Sequence, residues 1–366
     1  MKQREVSIFK HNNLEFCEEQ VYDKIVELIY SESIKKHEKN NSDFRATLSS
    51  CLKSYVSIIE TTTLDKDKVK EVGDICFKIK DTIASSYSGL HNQAYSRIQN
   101  LLNKHADLFL VEVYENSEFY RMRVCNKRKN LQRADIFHVP LNLRRCIKTQ
   151  RFSTPGYPCL YLGESLYVCW EEMDMPSSET TLIAGFRNTQ SFKVIDLRVP
   201  LYKDFKDNQS KYLFLFPLII ASSIPVLNRD DIFKPEYILS QLIVEWVIKT
   251  RGEKSVIGVY YTSVFKNSRF FSSLDREWNN LAIPVQVPLY TGQFCPKLSD
   301  LFELTMPTCY EYEHVKGNID AVGIWSNGPK RCEDDYKKDY YLSQFSRLEE
   351  LLLTKNFNKV SVNDLD

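Results

Sequence analysis

Near residue 106 the hydrophobic period of this chain changes, so no single kind of secondary structure fits both halves. Upstream, Leu48, Leu52, Tyr55 and Ile59 form one stripe, and Val69, Val72, Cys76, Ile79 and Ile83 form another. Only a helix brings such positions onto one face. Shorter stripes comprise Val21, Ile25, Leu28 and Ile29, and then Ala94, Ile98 and Leu101. Asn41–Ser42–Asp43 supplies a break and an N-cap ahead of Phe44. The spacing predicts a helical bundle over residues 1–105.

From LFLVEVYENSEFYRMRV onward the pattern is that of strands, with branched and aromatic residues alternating. DIFHVP, CLYLG, TTLIAGF, SFKVIDL, SVIGVYYTS and NLAIPVQV are read as strands. Residues 208–223 and 236–250 are read as helices, the second with Leu239, Leu242, Ile243 and Trp246 on one face. A last helix, YYLSQFSRLEELLLTK, carries Tyr341, Phe345, Leu348 and Leu352 on one stripe. Strands and helices do not alternate regularly, which favours an α+β fold over a doubly wound sheet. A second domain is expected over 106–366.

Composition excludes several classes. The net charge of +1 over 366 residues argues against a nucleic-acid coat or a polybasic membrane anchor. The longest apolar run, YLFLFPLIIASSIPVL at 212–227, is short of the ~20 residues that span a bilayer. A buried helix or a strand–turn element is expected there. Ten cysteines form no CxxC pair, and MKQREVSIFKHNN lacks the apolar core of a signal peptide. A cytoplasmic protein with reduced thiols is expected. No GxGxxG opens a helix, and GxxxxGK[ST], HExxH and an EF-hand loop are absent from the sequence. No metal is expected.

The stretch RFSTPGYPCLYLGESLYVCWEE at 151–172 concentrates the unusual chemistry. Pro155–Gly156 and Tyr157–Pro158 force turns, CLYLG forms a strand, and Ser165 caps a helix that ends before Pro176. Ser165, Cys169 and Glu172 share one helix face, and Glu171 is turned about 100° from Glu172. At most one of the two glutamates faces what Ser165 faces. For an anonymous pair, solvation of both is the ordinary alternative.

These pieces resemble the RES domain, a family named for its arginine, glutamate and serine. The matching residues are FYRMR at 119–123, RFSTPGYPCLYLGES at 151–165 and WEE at 170–172. YILSQLIVEW at 237–246, GVYYTS at 258–263 and NLAIPV at 280–285 are similar to its later blocks. The resemblance implies an ADP-ribosyltransferase-like domain: a mixed, mainly antiparallel sheet with flanking helices. It also implies a toxin or antiviral effector that consumes NAD⁺. Glu172, eleven residues after Tyr161, is preferred over Glu171 as the catalytic carboxylate, with Arg121 and Tyr161 beside it. Arg121, Arg151, Tyr161 and Ser263 are the expected NAD⁺-binding residues.

The residue types suit that chemistry. Cleavage of the nicotinamide–ribose bond builds positive charge on the sugar, which a carboxylate stabilises as in glycoside hydrolysis. A diphosphate is held better by the guanidinium fork of arginine than by lysine. Each residue also has an ordinary alternative: a surface Arg121, a core Tyr161, a structural hydroxyl at Ser263. His138 is read as structural and the 127–129 basic run with Arg133 as a solvated loop. NAD⁺ glycohydrolase or phosphorylase action is the first functional reading. Mono-ADP-ribosylation of a protein or nucleic acid is the second, and a catalytically silent interaction module the third. The 1–105 bundle is similar to the HEPN-like regions of some RES proteins. Seven residues separate Arg97 from His105, a wider spacing than active HEPN ribonucleases use, so the bundle is read as non-catalytic. Dimerisation, sensing or partner binding is expected of it, and restraint of a toxin is expected from either a separately encoded antitoxin protein or autoinhibition by the bundle.

Overall fold

The structure is a computed structural model that describes residues 18–30, 43–62, 65–125, 130–254, 256–264, 278–286, 293–309 and 343–360. It is α+β, with helices first and a mainly antiparallel sheet after them. Two compact units form: Met1–Phe109 with Leu197–Ile243, and Leu110–Asp196 with Val244–Asp366. Residues 197–243 therefore group with the N-terminal helices, although they lie beyond the expected boundary near residue 105.

In the first unit, helices α1 (18–29), α2 (Phe44–Glu60), α3 (Lys66–Tyr87) and α4 (His91–Phe109) follow one another. Asp43 caps α2 by accepting from the Arg45 N–H at 3.0 Å. Two further helices, α6 (Tyr202–Asp207) and α7 (Gln209–Ser223), belong to the same unit. The apolar run at 212–227 is mostly α7, which is buried from Tyr212 to Ser222 and packs against α2, α3 and α4. Because it is surrounded, it is apolar on every side rather than along one stripe. Among the described residues no helix is long and apolar enough to cross a membrane.

Pro217 sits inside α7 and has no N–H to offer the carbonyl of Leu213, one turn earlier. The hydroxyl of Tyr55, on α2, donates to that carbonyl at 2.7 Å. The proline thus creates a vacant acceptor, and a neighbouring helix fills it.

Among the described residues the second unit is built on an eight-stranded sheet of order β1-β5-β6-β7-β3-β2-β4-β8. Its strands are β1 (Leu110–Val113), β2 (Glu118–Val124), β3 (Cys159–Gly163), β4 (Thr181–Asn188), β5 (Phe192–Leu197), β6 (Val256–Thr262), β7 (Asn279–Pro284) and β8 (Phe302–Leu304). Side chains alternate between its faces. Phe119, Leu160, Leu162, Ala184, Phe186, Leu281 and Ile283 enter one core cluster. Tyr120, Met122 and Ile183 enter another, with the helices α5 (Leu166–Glu172) and α10 (Gln344–Leu353). Helices α8 (Ile238–Lys254) and α9 (Pro296–Leu301) match or add to the expected elements. Tyr341, expected on the last helical stripe, lies outside the described residues.

DIFHVP is not a strand. Ile136, Phe137 and His138 are all buried, so the in–out alternation is missing. The segment follows a short 3-10 turn, Arg133–Asp135, and is held by its own side chains. Arg133 is not simply solvated either, since its Nε donates to the Leu304 carbonyl at 2.7 Å. The 127–129 run lies outside the described residues.

The Tyr55 contact gives a direct test of the first unit. Tyr55→Phe leaves the buried Leu213 carbonyl unsatisfied and should lower stability by about 1–3 kcal/mol in denaturant titration. A neutral result would show that the proline defect is not relieved by Tyr55.

Candidate active site

Strand β2 pairs with β4 along its whole length, and β3 pairs with β7 along its whole length. Between themselves, β2 and β3 pair only at Tyr120–Gly163. Past that point the sheet has a gap, and Arg121 spans it. Its Nη1 donates to the Tyr161 carbonyl at 2.5 Å, while its buried Nε has no hydrogen-bond partner among the described residues. Burial, and then the charge of Arg123, pull the Arg121 guanidinium down to about 10, so it stays charged at neutral pH.

Helix α5 sits against the one point where β2 and β3 meet. A Cβ on Gly163 would lie 2.7 Å from both Cys169 Sγ and Val168 Cγ1. Only glycine permits this approach. The start of α5 is capped twice: Ser165 Oγ accepts from the Val168 N–H at 3.1 Å, and Glu349 Oε1 accepts from the Leu166 N–H at 2.5 Å. Its end is fixed by the Met175 N–H donating to the Trp170 carbonyl at 2.9 Å and the Asp174 N–H to the Glu171 carbonyl at 3.0 Å. Asp174 and Met175 adopt φ of 67° and 52°. Two non-glycine residues in the left-handed region store strain directly behind Glu172.

Register then assembles the face beneath α5. Tyr161 pairs with Ala282, Gly163 with Asn280, and Asn280 with Tyr261. Paired residues project to the same face, so Tyr161, Asn280 and Tyr261 point together. Glu172, half-buried at the end of α5, accepts from Asn280 Nδ2 at 3.0 Å. Tyr161 donates its hydroxyl to Ser153 Oγ at 3.1 Å. Ser153 belongs to a tight turn closed by Gln150, which buries Arg151 and sets Phe152 4.4 Å from the ring of Tyr261. Burial, followed by the negative charge of Glu172, pushes the Tyr261 phenol well above its ordinary range, and Arg151 acts in the opposite sense. The Cys169 thiol, pushed up to about 12 by burial, feels both Arg121 and Glu172.

The two glutamates are separated, and neither is simply solvated. Glu171 is the more buried and accepts from the Tyr167 hydroxyl at 2.7 Å, one helical turn back. Ser263 is buried two residues beyond Tyr261, its N–H donating to the Trp278 carbonyl at 2.9 Å. The structure thus gathers Tyr161, Glu172 and Arg151 around Tyr261, and ties Arg121 to the backbone of Tyr161. Sequence reasoning missed Asn280, Tyr261 and Ser153. All three lie inside motifs it singled out, and the two-residue strand period in GVYYTS and NLAIPV was the signal for the first two.

His138 is fully buried with both ring nitrogens engaged. Nδ1 is 2.8 Å from the Val139 carbonyl and Nε2 accepts from the Cys295 N–H at 2.9 Å. Among the described residues no group of three or more His, Cys, Asp or Glu side chains is placed to hold a metal ion. A surface groove bounded by Arg133, Met306, Thr354, Lys355, Asn356 and Asn358 includes none of Arg121, Arg151, Tyr161, Glu172 and Ser263.

The chain is 29% identical over 317 residues to a Bacillus subtilis (strain 168) protein named "Putative toxin YopC". The match covers 80% of this chain and 70% of that protein. No family model matches the chain, and no solved structure matches it.

Burial pulls His138 down to about 4. A histidine lowered in the folded state stabilises fully above its unfolded value near 6.5, and that stability is lost as pH falls toward 4. The imidazole should remain neutral by NMR at pH 5, where the protein should have lost about 2 kcal/mol relative to pH 7 through this group. In His138→Gln that part of the pH dependence should disappear.

Proposed function

We propose that the chain is an NAD⁺-consuming toxin that cleaves the nicotinamide–ribose bond. The observation that carries this reading is the Glu172 carboxylate, held by Asn280 over the sheet face that presents Tyr161. The similarity to a protein named as a toxin supports the biological role, and the resemblance of the 119–172 motifs to RES domains supports the chemistry.

The chemistry of these side chains suits a dinucleotide. Arg151, on the 150–153 turn, and the edge of Arg121 beyond its bond to Tyr161 are assigned to the diphosphate, where a planar fork suits two oxygens. Arg121 has a second task, because its Nη1 holds the Tyr161 carbonyl across the gap between β2 and β3. Tyr161 offers a ring to nicotinamide, with its hydroxyl anchored on Ser153. In the reaction the C–N glycosidic electron pair leaves with nicotinamide, whose ring becomes neutral. The sugar carbon becomes cationic, and Glu172 stabilises it. An oxygen of water or phosphate then bonds to that carbon and releases a proton to solvent. Preorganised charge supplies the rate.

A macromolecular oxygen or nitrogen as acceptor would make the protein an ADP-ribosyltransferase; the product analysis below distinguishes these outcomes. An enzyme that empties a cell of NAD⁺ requires restraint, and an antitoxin protein is the partner this reading calls for.

Purified protein incubated with NAD⁺ should release nicotinamide together with ADP-ribose, or with an ADP-ribose phosphate ester when phosphate is present. Glu172→Gln should lower turnover by about 10²–10³-fold and leave dinucleotide binding largely intact. Glu171→Gln retains the acceptor for Tyr167 and should change turnover little. Greater damage from Glu171→Gln, or intact turnover in Glu172→Gln, would remove the proposed catalyst.

A further inference from the structure

We propose that Asn280 is the positioning residue of this site, fixing Glu172 in place while leaving its negative charge intact. The kinetic part of the inference rests on the NAD⁺ reading above.

Asn280 is nearly fully buried, at 5% exposure, in an interior strand of the sheet. Its backbone is in register with Gly163 of β3 on one side and Tyr261 of β6 on the other. The two residues that define the site from below thus also fix the donor. Nδ2 reaches Glu172 Oε1 at 3.0 Å. A lysine or arginine in this position would neutralise the carboxylate, whereas an amide restrains it at no cost in charge. Glu172 is the last residue of a short helix, and the turn behind it is strained. A second restraint on its side chain is therefore needed to hold one geometry.

The neighbouring residue provides an internal comparison. Asn279 Nδ2 donates to Glu164 Oε2 at 2.8 Å, and Glu164 also accepts from the Tyr260 hydroxyl. Adjacent strand residues point to opposite faces. Asn279 and Asn280 thus make the same kind of bond to two different carboxylates, and only Glu172 faces Tyr161 and Tyr261. If buried amide–carboxylate bonds here serve folding alone, the two asparagines should be equivalent in activity assays.

The test compares Asn279→Ala, Asn280→Ala and Asn280→Asp in the full chain. Loss of positioning should lower kcat of Asn280→Ala by about 10–100-fold, with NAD⁺ affinity nearly unchanged. Asn279→Ala should keep kcat within about threefold, even where its melting temperature falls equally. In Asn280→Asp two carboxyls share the place of one, and the pair retains a proton to higher pH. Since the ionised Glu172 is the active form, kcat of this variant should rise with pH through a midpoint above that of wild type. Carboxyl ¹³C NMR, with Glu172 assigned by its absence in Glu172→Gln, should show the same upward displacement without any substrate. Wild type that does not consume NAD⁺ would sink the functional reading alone, because the NMR titration still reads the contact. Equal kcat losses at 279 and 280, or an unmoved Glu172 titration in Asn280→Asp, would overturn the inference.

Discussion

The second unit depends on how closely α5 approaches Gly163. That contact occurs where β2 and β3 make their only pair. Without a side chain at 163, Val168 and Cys169 lie against the strand, and the end of α5 comes to rest above Asn280. Any larger residue would force Val168 and Cys169 to shift. The caps from Ser165 and Glu349, and the packing of Phe345 against Tyr167 and Trp170, hold the helix down once it is there. Seven residues cannot sustain a helix by propensity, so these contacts determine its existence as well as its place.

The gap between β2 and β3 is the other half of the arrangement. A continuous ladder would have left no room for a guanidinium between these strands. With the ladder interrupted after Tyr120–Gly163, Arg121 takes its place and donates to Tyr161. Burying a cation is costly, and the lowered proton affinity of Arg121 expresses that cost. The strained end of α5 stands over one face of the sheet, while Arg121, in register with Ala184, is desolvated within the gap and tied to the same strand through the Tyr161 carbonyl.

Much of this was legible in the sequence, and the reasons differ between residues. The α2 and α3 stripes, the Ser165 cap, strand CLYLG and the short helix after it follow from local period and capping chemistry. Helix α7 was legible as buried, yet its membership in the first unit was not, because a wholly apolar helix has no face that names its partner. DIFHVP reads as a strand by composition, but His138 uses both ring nitrogens to hold an irregular loop. Helical spacing alone places Glu171 one turn after Tyr167, but it could not say that Glu172 would meet Asn280. Asn280 was hidden for a different cause: its partner is 108 residues away and is reached only through strand register.

A crystal structure of the Glu172→Gln variant soaked with NAD⁺ would test the central claim most directly. The account predicts the nicotinamide-bearing sugar carbon beside residue 172, the nicotinamide ring against Tyr161, and the diphosphate within reach of Arg121 and Arg151. Dinucleotide bound elsewhere on the chain, or a side chain at 172 pointing away from the sugar, would contradict it.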